Sequence, residues 1–272
     1  MTNVPAFEDL LQEIASDIFN ELPDNFKEID HHFQPIVNVR DGDIFGYEAL
    51  ARPLNGDSIL LLIQKAKQRD FLGIFDLYLR LKAIYKAYVL GVFPEKYLFL
   101  NVEPNCIIKK KPSGVTKGFL KALNLPQEKV VLEIGENFLP EDYQKFYETL
   151  NYFRRQGFNI AVDDFGVGCI NYRVLYEFPP DYIKIDRFFV QQIPNPFFKK
   201  TIYHFIELAQ DLKTEIIVEG VEKEEEFQGL SKIGIILMQG FYFGKPTPIP
   251  KRVIENYKKY VYEYYVYSLW VY

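Results

Sequence analysis

Eight short apolar runs punctuate the chain, and stretches with helical periodicity fill most of the gaps between them. The runs fall at 33–38, 45–51, 97–102, 129–134, 158–163, 181–185, 214–219 and 235–243. Several are nearly continuous apolar segments, as strands of a parallel sheet are when both faces are buried. Helical spacing fills 58–69, 74–90, 115–123, 140–156, 195–212 and 222–232. Eight strands with intervening helices predict an α/β fold, a modified TIM-type (β/α)8 barrel. Between the first two runs there is room only for the turn Arg40-Asp41-Gly42-Asp43, so these two strands should form a hairpin and the first should run antiparallel. An open doubly wound sheet is the alternative.

The flanks differ from this pattern. In residues 1–30, Phe7, Leu10, Leu11, Ile14 and Ile18 keep helical spacing until Pro23-Asp24 breaks it, predicting a helical extension. The barrel should then occupy 31–250. Residues 251–272 are unusually aromatic and should pack on the barrel, with a partner surface as the alternative.

Bulk composition narrows the function. The 272 residues are 48% hydrophobic and carry a formal net charge of −5, so no global basic field recruits a nucleic-acid polymer. Two cysteines build no disulfide framework. There is no basic-then-apolar leader and no run long enough to span a bilayer, so a cytoplasmic protein without a membrane span is expected.

Near the end of almost every strand sits a residue that a buried strand would not ordinarily carry. In order these are Glu48, Asn101, Glu133, Asp163 with Asp164, Lys184, Glu219 and Gln239. One such residue is most simply a satisfied structural carboxylate, but agreement across seven strands is hard to assign to chance. In a barrel these ends converge on one mouth, where barrel enzymes place their chemistry. Carboxylates and an amide oxygen, without a Cys or His cluster, are hard ligands that suit Mg²⁺ or Mn²⁺ rather than zinc or copper. Asp163 and Asp164 either each hold a different ion, or one of them bridges both ions. Two such ions activate water and stabilise a phosphoryl transition state. Lys184 supplies a fixed cation that orients the water or neutralises phosphate charge.

The chain resembles the EAL-domain cyclic di-GMP phosphodiesterases, a family named for the tripeptide found here at Glu48-Ala49-Leu50. The resemblance runs from Phe33 to Pro246 through "FQPIV", "YEALARP", "LNVEPN", "VLEIGEN", "AVDDFGVG", "YIKIDRFFV", "VEGVE" and "MQGFYFGKP". It implies hydrolysis of cyclic di-GMP to linear pGpG with two Mg²⁺ or Mn²⁺ ions and a homodimer; the N-terminal helix or the aromatic tail is the expected dock for a regulatory protein partner. By motif, Glu48, Asn101, Glu133 and Asp163 resemble ligands of the first ion, and Asp163 and Asp164 ligands of the second. Lys184 resembles the residue that orients the attacking water, with Glu219 the essential acid beside it. Arg52, Gln239 and Gln34 resemble substrate contacts, Arg52 at a phosphate. Glu136 resembles the glutamate that props the loop after the paired aspartates, and Glu222 completes the "EGVE" signature as a loop support.

The loop after Asp164 departs from the family pattern. Val167 lacks a hydroxyl, Ile170-Asn171 stands where a serine pair is usual, and Gly135 replaces a threonine, changes that bear on the order of the loop and so on the rate. A catalytically weak or inactive module that acts as a cyclic di-GMP receptor or a protein-interaction domain is the competing reading. An enolising barrel enzyme also gathers carboxylates at strand ends but lacks these signatures. The "DFG" at Asp164-Phe165-Gly166 has no Gly-rich loop before it and no His-Arg-Asp loop, so it does not indicate a kinase. His31-His32 are expected to be solvated or capping residues ahead of the first strand, and Cys169 a small apolar filler.

Overall fold

The structure is a computed structural model that describes residues 5–103, 114–135, 143–168 and 172–250. Glu136, Cys169, the Ile170-Asn171 pair and the aromatic segment 251–272 lie outside the described residues.

Eight strands close into a barrel in chain order: β1 (Ile29–Asn38), β2 (Asp43–Pro53), β3 (Tyr97–Asn101), β4 (Val130–Gly135), β5 (Asn159–Phe165), β6 (Tyr182–Ile185), β7 (Glu215–Val218) and β8 (Leu237–Gln239). The first strand is antiparallel, as the short turn requires: β1 pairs β8 with Ile36 opposite Gln239 and Asn38 opposite Leu237. Neighbours β3–β4, β5–β6, β6–β7 and β7–β8 are parallel. Strand β1 begins at Ile29, earlier than the apolar run suggested, so His31 lies inside it and is only 2% exposed. This corrects the expectation of a solvated or capping residue. Ile29, His31 and Phe33 are buried while Asp30 and His32 are half-buried, the two-residue alternation of a strand.

The described chain falls into two compact units. The first gathers the residues up to Phe33, Ala49–Ile134 and those up to Ile160. In it, α1 (Phe7–Phe19) buries Phe7, Leu10 and Leu11 and packs on α3 (Leu72–Val89) and α4 (Val115–Ala122), with α2 (Ile59–Gln68) against α3, and α5 (Tyr143–Arg155) belongs to the same unit. Edge-to-face contacts of Phe26 with Phe71 at 4.7 Å and with Phe75 at 5.1 Å anchor the chain just before β1.

The second unit holds Gln34–Glu48 and everything described from Ala161 onward. Its core joins Val37, Val162, Ile183, Ile185, Val218 and Met238 from the strands to Leu175, Phe189, Ile202 and Phe227 from the helices outside them. Two of those helices, α6 (Tyr172–Glu177) and α7 (Arg187–Gln191), are too short to leave a periodic signal. Asp186 caps α7 by accepting from the Phe188 amide at 2.8 Å. Helices α8 (Pro196–Leu212) and α9 (Glu224–Lys232) match the predicted periodicity. Among the described residues no helix is long and apolar enough to cross a membrane.

Candidate active site

Strand β5 ends in an irregularity that creates the acidic pair. Side chains alternate faces in a regular strand, so adjacent Asp163 and Asp164 would point apart. Here the β5–β6 register shifts between Val162 and Phe165, and Asp164 takes a left-handed backbone with φ of 56°. That conformation costs an ordinary residue about 1–2 kcal/mol, and Asp tolerates it better than most. As a result, carboxylate oxygens of Asp163, Asp164 and Glu219 all lie within 4.8 Å of one another.

Lys184 is the counter-charge. All four residues of β6 are buried, and the lysine side chain is 0% exposed. Its Nζ stands 2.7 Å from Glu219 Oε1, 3.0 Å from Asp163 Oδ1 and 3.7 Å from Glu48 Oε2. A buried ammonium is tolerated only when paired in this way. The reverse also holds: one ammonium serves three carboxylates, leaving excess negative charge out of water.

The excess is relieved by protons. Burial pushes the Glu219 carboxyl up to about 8, against the pull of Lys184 and with the charges of Asp163 and Glu48 adding to the rise. Asp164 is also raised, by burial first and then by Asp163 and Asp186. Glu219 starts from 4.5, so between that value and about 8 the folded metal-free protein keeps a proton that the unfolded chain has lost. This contribution to stability is fully present below the lower value and disappears as pH rises through the upper one. The melting temperature of EDTA-treated protein should therefore fall as pH is raised from about 5 to about 9, and Glu219→Gln should flatten the decline; a wild-type melting curve that is flat over that range would remove the basis for a protonated Glu219.

Two glutamines order the adjacent wall of the same unit. Gln239 Nε2 donates to Glu48 Oε2 at 2.6 Å and to Gln34 Oε1 at 3.3 Å, while Gln34 Nε2 donates to the Gly244 carbonyl at 3.4 Å. Gln239 is 3% exposed, so its amide holds the Glu48 carboxylate in one orientation. The loop after β7 is pinned against this wall by a bond from the Val221 amide to the Gln239 carbonyl at 3.0 Å. Gly220 makes that path possible, because a β-carbon there would fall 2.1 Å from Arg187 Cβ at a φ of 70°.

Of the residues singled out from the sequence, Gln34, Glu48, Asp163, Asp164, Lys184, Glu219 and Gln239 belong to this unit. Asn101, Glu133 and Arg52 belong to the first, where Asn101 and Glu133 are register partners across β3 and β4 and Asn101 Nδ2 donates to Glu133 Oε2 at 3.3 Å. Arg52 Nη1 donates to the Ala51 carbonyl at 2.9 Å. The Glu222 side chain is exposed. The carboxylate that holds this loop is Glu226, 6% exposed, which accepts from the Glu222 amide at 2.8 Å and the Lys223 amide at 3.0 Å. The sequence signal for it was available: a glutamate three residues into a helix that opens at Lys223 is half of a capping box.

The family model described as "EAL domain" matches residues 19–246. The chain is 30% identical over 232 residues to the cyclic di-GMP phosphodiesterase RocR of Pseudomonas aeruginosa, covering 81% of this chain and 58% of that protein. A standalone EAL protein from Vibrio cholerae, solved in its c-di-GMP-bound form, superposes with a TM-score of 0.77 at 32% identity, covering 84% of this chain and 97% of that one. The manganese/cyclic di-GMP complex of BlrP1 from Klebsiella pneumoniae gives 0.75 at 28% identity, covering 81% of this chain and 56% of that one. The chain spans between 27% and 58% of the curated relatives RocR, the probable cyclic di-GMP phosphodiesterase PdeB of Escherichia coli and a protein of Sinorhizobium fredii.

Proposed function

Because the chain belongs to the EAL domain family, we propose that it is a metal-dependent phosphodiesterase that opens one phosphodiester of cyclic di-GMP to give linear pGpG. The observation that carries this reading is the fully buried Lys184 beside Asp163, Glu219 and Glu48, with Asp164 completing the acidic cluster. A purely structural lysine needs one carboxylate; an excess of carboxylates that retains protons calls for further positive charge.

The donor set fits hard divalent ions. Asp163, Asp164 and Glu219 offer oxygens at mutual distances that one or two Mg²⁺ or Mn²⁺ ions span, Glu48 lies beside them, and the family resemblance adds Asn101 and Glu133. Such ions, when bound, supply a water of lowered pKa and neutralise charge on the phosphoryl oxygens. The chain's residues do the rest. Lys184, hydrogen-bond distance from Glu219 and Asp163, orients the water and holds positive charge next to the phosphorus. With its proton released to solvent, the Glu219 carboxylate would accept a hydrogen bond from the attacking water. Gln239 fixes Glu48, and Arg52 clamps a phosphate. The attacking water passes a proton to Glu219 as its oxygen bonds to phosphorus, the bond from phosphorus to the ribose O3′ breaks, and the departing O3′ takes a proton from solvent.

Incubation with cyclic di-GMP and either Mg²⁺ or Mn²⁺, followed by nucleotide chromatography, tests the proposal. Metal-dependent appearance of pGpG supports it. Tight binding with no pGpG in either metal would leave the receptor reading in its place.

A further inference from the structure

Strand β3 stops short of its neighbour. It ends at Asn101, while β4 runs on past Glu133, the residue opposite Asn101. The Val102 amide still reaches β4 and donates to the Glu133 carbonyl at 3.0 Å. The next amide, at Glu103, turns out of the ladder and donates to Asp76 Oδ1 of α3 at 2.9 Å. A backbone donor taken out of water needs an acceptor, and an ionised one makes the stronger bond.

Carboxylates are seldom buried without a partner. Asp76 is 8% exposed, and its partner Arg80, one helical turn on, is 7% exposed and meets it through Nη2. Arg80 Nη1 also donates to Thr116 Oγ1 at 3.2 Å, so the pair ties α3 to α4. Asp76, Arg80, Thr116 and Glu103 all lie in the first unit. Replacing a buried ion pair by apolar residues of similar volume is often neutral or stabilising, so stability alone does not account for this one. What an apolar pair could not do is hold the Glu103 amide.

That amide stands two residues beyond Asn101. The Asn101 side chain is exposed, so packing does not fix it, and its position follows from the backbone that carries it. Its Nδ2 donates to Oε2 of Glu133, which is 1% exposed. A strand end free to swing would move the asparagine relative to a glutamate that is itself held in the core.

We propose that Asp76 is a positioning residue: by holding the Glu103 amide it fixes the end of β3, and with it the Asn101–Glu133 pair assigned above to a divalent ion. This rests on the proposed reading of Asn101 and Glu133 as ion ligands but not on hydrolysis. Arg80 serves to keep the Asp76 carboxylate ionised and in place.

The test separates the hydrogen bond from the ion pair. Asp76→Leu combined with Arg80→Met removes both. Asp76→Asn combined with Arg80→Met removes the charges but keeps an amide oxygen for Glu103. Neither double variant leaves a buried charge unpaired, so both should fold. Calorimetric titration of the full chain with Mn²⁺, without nucleotide, should show binding weakened about 10- to 100-fold in the leucine variant, the range for losing a group that holds a metal ligand in place. The asparagine variant should recover affinity to within about threefold of wild type. In metal-free protein isotope-labelled at asparagine and glutamate, the Asn101 side-chain amide resonance should shift in the leucine variant and stay near its wild-type position in the asparagine variant. The Glu103 amide of the wild type should exchange slowly with solvent. Rapid exchange there, which needs no variant and so no assumption about folding, overturns the proposal. So does wild-type Mn²⁺ affinity in the leucine variant, an unmoved Asn101 resonance in it, or equal weakening in both variants, which would leave Asp76 a structural ion-pair partner only. Weakened Mn²⁺ binding in the leucine variant alone, with no pGpG formed by the wild type, would keep this inference and reject the enzyme. Hydrolysis by the wild type with Mn²⁺ affinity indifferent to Asp76 would do the opposite, and absence of Mn²⁺ binding by the wild type would overturn both.

Discussion

Replacing Lys184 with methionine is expected to lower turnover about a hundred- to a thousandfold, the range for losing one preorganised electrostatic contact at a reacting centre, while affinity for cyclic di-GMP changes by no more than about threefold. Methionine fills the lysine's stem volume, so the fully buried position stays packed and the change is confined to charge. The cation that faces Glu219 at 2.7 Å and Asp163 at 3.0 Å is then gone when negative charge builds on the phosphoryl group. A stability signature should accompany the kinetic one. Without the ammonium, three carboxylates are left to repel one another, and breaking a buried ion pair costs about 3–5 kcal/mol when nothing replaces the lost partner. Protons and metal ions both can replace it. The variant should therefore melt well below wild type in EDTA near pH 8, less so near pH 5, and recover in saturating Mn²⁺. Single-turnover kinetics and melting curves over that pH range check both halves. Turnover within tenfold of wild type would remove Lys184 from the mechanism.

Glu48→Ala should abolish measurable turnover, a loss of at least about a thousandfold, yet leave the fold nearly as stable as before. The two effects separate because Glu48 is costly to the folded state. It is 7% exposed and shares one buried cation with two other carboxylates. Removing it frees Gln239 Nε2 from a 2.6 Å bond, at a cost of about 1–3 kcal/mol. It also relieves charge repulsion and lets the ammonium serve fewer partners, which offsets much of that cost. The check is activity at saturating Mg²⁺ and Mn²⁺ together with a melting curve. Wild-type turnover in saturating metal would show the site assignment to be wrong.

The parts of this site that were legible in the sequence share one property: an oxygen- or nitrogen-bearing residue at the end of an otherwise apolar run. Glu48, Asp163, Lys184, Glu219 and Gln239 all stand out in this way, and the structure gathers them in one unit. The antiparallel first strand was legible too, because four turn residues cannot carry a crossover. What escaped had weaker physical signatures. The start of β1 was hidden because His31 occupies an inward position and histidine reads as polar, so Ile29-x-His31-x-Phe33 did not register as alternation. The loop support passed from Glu222 to Glu226 because a signature motif drew attention from a capping pattern four residues on. The upward shift of Glu219 comes from burial first and then from the charges of Asp163 and Glu48, which are distant in sequence, so no local window contains its causes.

The irregular end of β5 carries a lesson for transplantation. The two neighbouring aspartates are a common dipeptide, and copying them onto the rim of another barrel looks simple. On a regular strand the pleat would send one carboxylate inward and the other away, so the graft would deliver half of the acidic pair. What must be copied is a backbone torsion: the φ of 56° at Asp164 and the slipped register that accommodates it. In a designed host this means building the bulge first and choosing the side chains second, with the left-handed position placed where a residue can hold it.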